Sequence, residues 1–163
     1  MRCFDEYREH SLNATSIPSG PGRCKLTLVV VPAGGRGMEV SMTSKRSLVS
    51  VVDDDESIRE SLPDLLREFG LEARAFSSAE EFLASDCIEQ SSCLILDIAM
   101  PGMTGPELQQ ELRIRQHEIP IIFITGQRDE AVRKRALERG AVECLFKPFS
   151  DTALCDAVNA ALG

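Results

Sequence analysis

Short apolar runs alternate with amphipathic stretches along the second two thirds of the chain. The strands they predict lie at 48–52, about 72–76, 93–97, 120–124 and 142–146. Runs such as Val49–Val52, Cys93–Leu96 and Ile121–Ile124 are four or five residues long with little polar alternation. That pattern suits strands buried on both faces, as in a parallel sheet covered by helices. Between the runs, helical periodicity predicts helices at about 56–69, 78–85, 106–117, 128–139 and 150–162. Their ends carry recognisable signals. Asp55 serves as N-cap of the first, and Gly70 and Gly140 close the first and fourth from C′ positions. Ser78 and Glu81 are spaced as a capping box. Pro106 falls in the first turn of the third, and Ser150 or Asp151 caps the fifth. Pro63 alone breaks a rule: a proline inside a helix costs about 3 kcal/mol or kinks it. The fold class is therefore α/β, a doubly wound (βα)5 domain with a parallel five-stranded sheet; among doubly wound orders, the flavodoxin-like 2-1-3-4-5 would set the first and third strands side by side.

The ends of these strands matter most. The first runs into Asp53-Asp54, the third into Asp97, the fourth into Thr125 and the fifth into Lys147-Pro148. Open α/β sheets bind ligands beyond the carboxyl ends of their strands. Three carboxylates, a hydroxyl and an ammonium are thus expected to share one crevice. Two carboxylates about 4 Å apart repel by roughly 4 kcal/mol at an effective dielectric of 20, so this set needs a cation or a proton. All-oxygen donors favour Mg²⁺ over zinc or copper, and Mg²⁺ accepts phosphate oxygens alongside one or two carboxylates. Lys147 supplies a compact positive charge and Thr125 a donor for the same oxygens. Asp97 sits centrally and is the candidate nucleophile, since a carboxylate can attack phosphorus to give an acyl phosphate.

Composition narrows the setting. The 163 residues carry a net charge of −8, but residues 48–163 alone carry −11, which disfavours direct nucleic-acid or membrane-surface binding. No apolar run approaches the ~20 residues of a spanning helix. Six cysteines, without a C-x-x-C pair and with only two histidines, argue against zinc and for a reducing, cytoplasmic setting. Residues 1–46 concentrate glycine and proline without periodicity. They are expected to form a disordered or loosely structured extension, with the true start near Met38 or Met42 as one reading. The glycines at 34–37 lack the Lys and Ser/Thr of a phosphate loop. His117 reads as an exposed bystander.

In order along the chain, VVDDDES, LILDIAMPGMTGPEL, ITG and FKPF resemble the motifs of response-regulator receiver domains of two-component signalling. The spacings fit as well: 43 residues from Asp54 to Asp97, 28 from Asp97 to Thr125 and 50 from Asp97 to Lys147. The similarity is greatest to receivers that precede a helix-turn-helix output domain, and it places the receiver at residues 47–163. The resemblance implies that Asp97 accepts a phosphoryl group from a sensor histidine kinase or phosphotransfer protein. It implies that Asp54, Asp97 and the Ala99 backbone carbonyl ligate Mg²⁺, with Asp53 acting through water. Lys147 would pair with the phosphoryl group, and its bond to Pro148 would be cis. Thr125 would close on the phosphate, with the Gly126 N–H as a further donor. The output face would be the fourth helix, fifth strand and fifth helix, and phosphorylation could drive a dimer.

Two departures stand out. The family usually has Tyr or Phe three residues before the lysine, and here that residue is Cys144, with Phe146 two positions on. The chain also ends with the fifth helix, so a stand-alone receiver is expected, signalling through a partner. The alternative is a truncated DNA-binding transcriptional regulator. An Asp-nucleophile Mg²⁺ phosphatase is a weaker alternative, because Asp97-Ile98-Ala99 lacks the second Asp of D-x-D. A flavodoxin-like cofactor binder is disfavoured by the lack of a hydroxyl-rich loop after the first strand. Five of the domain's eleven basic residues (Arg128, Arg133, Lys134, Arg135 and Arg139) fall on or beside the fourth helix. They form either a solvated face or a docking surface for an acidic partner.

Overall fold

In the computed structural model, residues 46–163 are described. The expected N-terminal extension and the alternative starts at Met38 and Met42 lie outside them. Five strands form one parallel sheet of order β2-β1-β3-β4-β5, as the alternating pattern predicts. The elements run β1 (Leu48–Val52), α1 (Glu56–Glu68), β2 (Glu72–Phe76), α2 (Ala79–Leu83), α3 (Cys87–Gln90) and β3 (Ser91–Asp97). They continue with α4 (Gly105–Ile114), β4 (Ile121–Thr125), α5 (Glu130–Glu138), β5 (Glu143–Phe146) and α6 (Asp151–Leu162).

The near-continuous apolar strands are explained by two cores, one on each face of the sheet. Val49, Val51, Cys93, Ile95, Ile122 and Ile124 are buried with Leu62 and Leu66 of α1 and Leu154 and Val158 of α6. On the opposite face, Val52, Leu94, Leu96 and Phe123 are buried with Phe82 of α2, Leu108 and Leu112 of α4 and Ala136 of α5. Side-chain alternation along each strand sends successive residues to opposite cores. The helices therefore press the sheet from both sides, and the carboxyl ends of the strands are left open along one edge.

Three helices close in the same way. After α1, the Gly70 N–H donates to the Arg67 carbonyl and the Leu71 N–H to that of Leu66; after α5, Gly140 and Ala141 repeat the pattern. Both glycines take positive φ, as expected of C′ residues. The third closure falls after α4, where Gln116 takes φ 62° and His117 donates to Leu112. That helix therefore ends at Ile114, three residues before the position expected from the sequence. The short helix α3 was not expected either. It is pinned from the sheet: the Ser91 hydroxyl donates to the Cys87 carbonyl and lies 2.6 Å from the buried Ser50 hydroxyl. The capping box at Ser78 is half formed. Ser78 accepts from the Glu81 N–H, while the Glu81 carboxylate reaches Ser77 instead. Helix α1 runs unbroken through a buried Pro63.

Candidate functional site

Strands β1 and β3 pair with Val52 opposite Leu96, so the residues that follow them, Asp53 and Asp97, emerge side by side at the open edge. Asp54 comes next on the chain and is exposed, whereas Asp53 is fully buried and Asp97 is 5% exposed. Each of the three offers a carboxylate oxygen within 4.8 Å of the others. On the far side, β5 pairs with β4, and the Lys147 N–H donates to the Thr125 carbonyl at 2.8 Å. That backbone link carries the lysine to the acids. Its Nζ lies 2.7 Å from Asp53 Oδ2 and 3.5 Å from Asp97 Oδ1. The Lys147–Pro148 bond is cis.

Asp53 uses every polar atom it has. Its N–H donates to the Phe76 carbonyl, and its own carbonyl accepts from the Arg59 guanidinium at 3.0 Å. One carboxylate oxygen accepts from the Asp55 N–H at 2.8 Å and the other from Lys147. Asp97 is less well satisfied. Burial pushes its carboxyl up to about 6, and the neighbouring Asp53 and Asp54 carboxylates add to the rise against the pull of Lys147. Lys147 stays firmly charged: burial draws its pKa down, but the Asp53 and Asp97 carboxylates outweigh that and raise it. One ammonium thus serves a cluster of three acids. A hard divalent cation bound through Asp54 and Asp97 would remove the remaining repulsion, so the donor set fits Mg²⁺.

Thr125 ends β4 and is buried, and its hydroxyl oxygen accepts from the Gln127 N–H at 3.1 Å. Among the described residues no hydrogen bond joins that hydroxyl to the carboxylates. Ala99 lies exposed in the loop after β3, two residues past Asp97, and Gly126 is exposed directly after Thr125. Gly105, where that loop enters α4, has no room for a side chain. A Cβ there would stand 2.4 Å from the Asp97 carbonyl and 3.0 Å from the Phe123 ring. Beside Lys147 an open groove is lined by Ile58, Leu62 and Leu65 of α1 with Pro148 and Phe149.

Sequence reasoning missed two supports of this site. Arg59 stands one helical turn beyond the N-cap Asp55, a spacing that could have been noticed. Glu80 of α2 accepts from the Met103 N–H at 3.1 Å and so ties the loop after β3 to a neighbouring element. Nothing in the local sequence signals that second contact, which spans 23 residues.

Comparison with known proteins agrees with this geometry. Residues 49–159 match the family model described as the response regulator receiver domain. Nodulation protein W of Bradyrhizobium diazoefficiens is 49% identical over 118 residues, which are 72% of this chain and 52% of that protein. The transcriptional regulatory protein FixJ of Azorhizobium caulinodans is 40% identical over 115 residues, 71% of this chain and 54% of its own length. Among solved structures, the response regulator StyR superposes with a TM-score of 0.67 at 47% identity, covering 72% of this chain and 59% of that one. FixJ-N gives 0.64 at 36% identity, covering 71% and 93%. The chain spans about half the length of the curated relatives it matches. With its acidic cluster at the open edge of a 2-1-3-4-5 sheet, this chain belongs to the response regulator receiver family, which is not a classical enzyme family.

Proposed function

We propose that this receiver, taken as residues 47–163, accepts a phosphoryl group on Asp97 from a phosphohistidine of a sensor kinase or phosphotransfer protein. An Asp97 carboxylate oxygen forms the new bond to phosphorus as the donor's nitrogen–phosphorus bond breaks, and the imidazole leaves. The observation that carries this reading is Lys147 Nζ standing 3.5 Å from the Asp97 carboxylate inside the acidic cluster. That proximity supports the reading, since a transferred phosphoryl group on Asp97 would meet a cation at once. Asp54, Asp97 and the Ala99 carbonyl would hold Mg²⁺, with Asp53 contacting it through water. When bound, the metal supplies charge neutralisation for the phosphoryl oxygens. The groove between α1 and Pro148–Phe149 opens beside Lys147 and would offer a seat to an apolar helix of the donor.

Once phosphorylated, Asp97 carries added charge and three acceptor oxygens. Lys147, now divided between Asp53 and Asp97, shifts toward the phosphoryl group. Thr125 keeps its hydroxyl proton free, because the bond from Gln127 uses only the oxygen. That proton and the Gly126 N–H are the donors that would close on the phosphate. Moving a population from 1:99 to 99:1 needs about 5.5 kcal/mol of difference between the two states, and these new contacts are its source. The output follows at α5, β5 and α6, through a partner in the cytoplasm or a phosphorylation-dependent dimer. Because several relatives are named as transcriptional regulators, a helix-turn-helix output in a longer chain is the second reading.

The test is incubation with Mg²⁺ and a small phosphodonor followed by intact-mass measurement. The wild type should gain one phosphoryl adduct and Asp97→Asn none. An adduct of equal size on Asp97→Asn would move the acceptor elsewhere.

A further inference from the structure

Asp53 is unusual in having all four polar groups engaged, and one of its partners comes from outside the strand ends and the lysine. Arg59, half-buried on the first turns of α1, donates from its guanidinium to the Asp53 carbonyl at 3.0 Å. That carbonyl belongs to the peptide joining Asp53 to Asp54, so the bond acts on the orientation of both carboxylates at once. Arg59 therefore ties the first turns of α1 to the end of β1, two elements that meet at the acidic edge.

We infer that Arg59 is a positioning residue that holds the Asp53–Asp54 peptide in the orientation needed for the acidic cup to bind a divalent cation. The inference rests on the Mg²⁺ reading above and adds a residue to it.

Charge and geometry make opposite forecasts here, which makes the inference testable. If Arg59 acted only as a nearby positive charge, it would oppose a cation, and neutralising it would tighten Mg²⁺ binding. If it acts by holding the peptide, neutralising it loosens the cup. Loss of an outer partner of a metal ligand typically weakens metal binding by about tenfold or more. A guanidinium-to-carbonyl bond is charge-assisted and among the stronger hydrogen bonds.

The experiment is calorimetric titration of the unphosphorylated chain with MgCl₂ at constant ionic strength, for wild type, Arg59→Met and Arg59→Lys. Thermal melts in chelator serve as a check that each variant folds. The expected result is Mg²⁺ binding weakened by about tenfold in Arg59→Met and partly recovered in Arg59→Lys, which restores a donor. Binding that is unchanged or tighter in a folded Arg59→Met overturns the inference. Equal weakening in Met and Lys variants also overturns it, since a lysine that cannot substitute points to packing by the side chain. Should Arg59→Met not fold, Arg59→Gln, whose shorter neutral side chain cannot reproduce the charge-assisted bond to the Asp53 carbonyl, takes its place beside Arg59→Lys. Binding weakened in Arg59→Gln and at least partly recovered in Arg59→Lys supports positioning, and any other pattern overturns it. If the wild type itself binds no Mg²⁺, the metal reading fails, an outcome distinct from a wild type and variant that bind alike.

Discussion

At the scale of single residues, Asp97 is held under tension by its surroundings. Its carboxyl is raised to about 6, by burial first and then by Asp53 and Asp54. An unfolded aspartate titrates near 4. The folded state therefore holds its proton more tightly than the unfolded state. The stabilising effect of that proton is complete below about pH 4 and is lost as pH rises through about 6. At neutral pH the charged form destabilises the apo-protein by roughly 3 kcal/mol. Asp97→Asn should thus raise the melting temperature in chelator at pH 8 by several degrees, and the gain should shrink toward zero by pH 4. Melts at the two pH values check this. An equal gain at both would trace the effect to packing around the asparagine. The same tension is consistent with the proposed role, because a strained carboxylate gains most from a cation or a phosphoryl group.

At the scale of elements, α5 is the least firmly attached helix. Ala136 is its one buried residue, against three each in α1 and α6. Polar ties at both ends supply the rest. Arg133 pairs with Glu143 of β5 at 3.0 Å, and Gln109 and Arg113 of α4 donate to the Arg139 carbonyl at the end of α5. Arg133 is thus turned back onto the domain, leaving Arg128, Lys134, Arg135 and Arg139 as the exposed basic residues on or beside this helix. Beneath this helix lies Cys144, buried in the core that includes Ala136, in place of the expected aromatic ring. Burial raises its thiol pKa, so it packs as a small hydrophobe. Arg133→Met should cost at most about 1 kcal/mol of global stability, since the pair is a third exposed. Amide exchange should rise across residues 130–138 while α1 stays protected, because weakly buried elements open locally. Hydrogen-exchange mass spectrometry reads both regions, and a uniform rise would place Arg133 in the general stability of the fold.

The elements also show what a sequence can and cannot announce. The central strands β1, β3 and β4 were legible because burial on both faces demands near-continuous apolar runs, the edge strands β2 and β5 because they recur between helical stretches, and the helix ends at Gly70 and Gly140 because glycine marks positive φ. The end of α4 was not, because Gln116 adopts the same conformation without that signal. Helix α3 was hidden because its anchor Ser91 meets Ser50, and its Cys87 meets Arg74, through contacts distant in sequence. The acids and the lysine were legible as strand-end residues. Arg59 was half legible, by its spacing from the N-cap Asp55, and Glu80 was not, since it acts on a backbone group 23 residues away that meets it only after folding.

For the molecule as a whole, charge and site pull in one direction. Residues 48–163 carry −11, and three of those acids meet at one edge with a single lysine between them. A divalent cation should therefore stabilise the fold in two separable ways. Diffuse screening of the net charge depends on ionic strength alone and acts equally on every variant. Site binding adds a term that grows with the logarithm of cation concentration, about 2.7 kcal/mol at a hundred times the dissociation constant. Comparing MgCl₂ with NaCl at matched ionic strength isolates the second. The wild type should melt at a higher temperature in MgCl₂, with a difference that climbs steadily with concentration. In Asp54→Asn the two salts should give nearly the same melting curve, because the exposed acid that opens the cup to solvent has lost its charge. If Asp54→Asn keeps the full MgCl₂ increment, the cation is binding elsewhere on the acidic surface. The acidic edge would then repel itself for a reason other than metal capture.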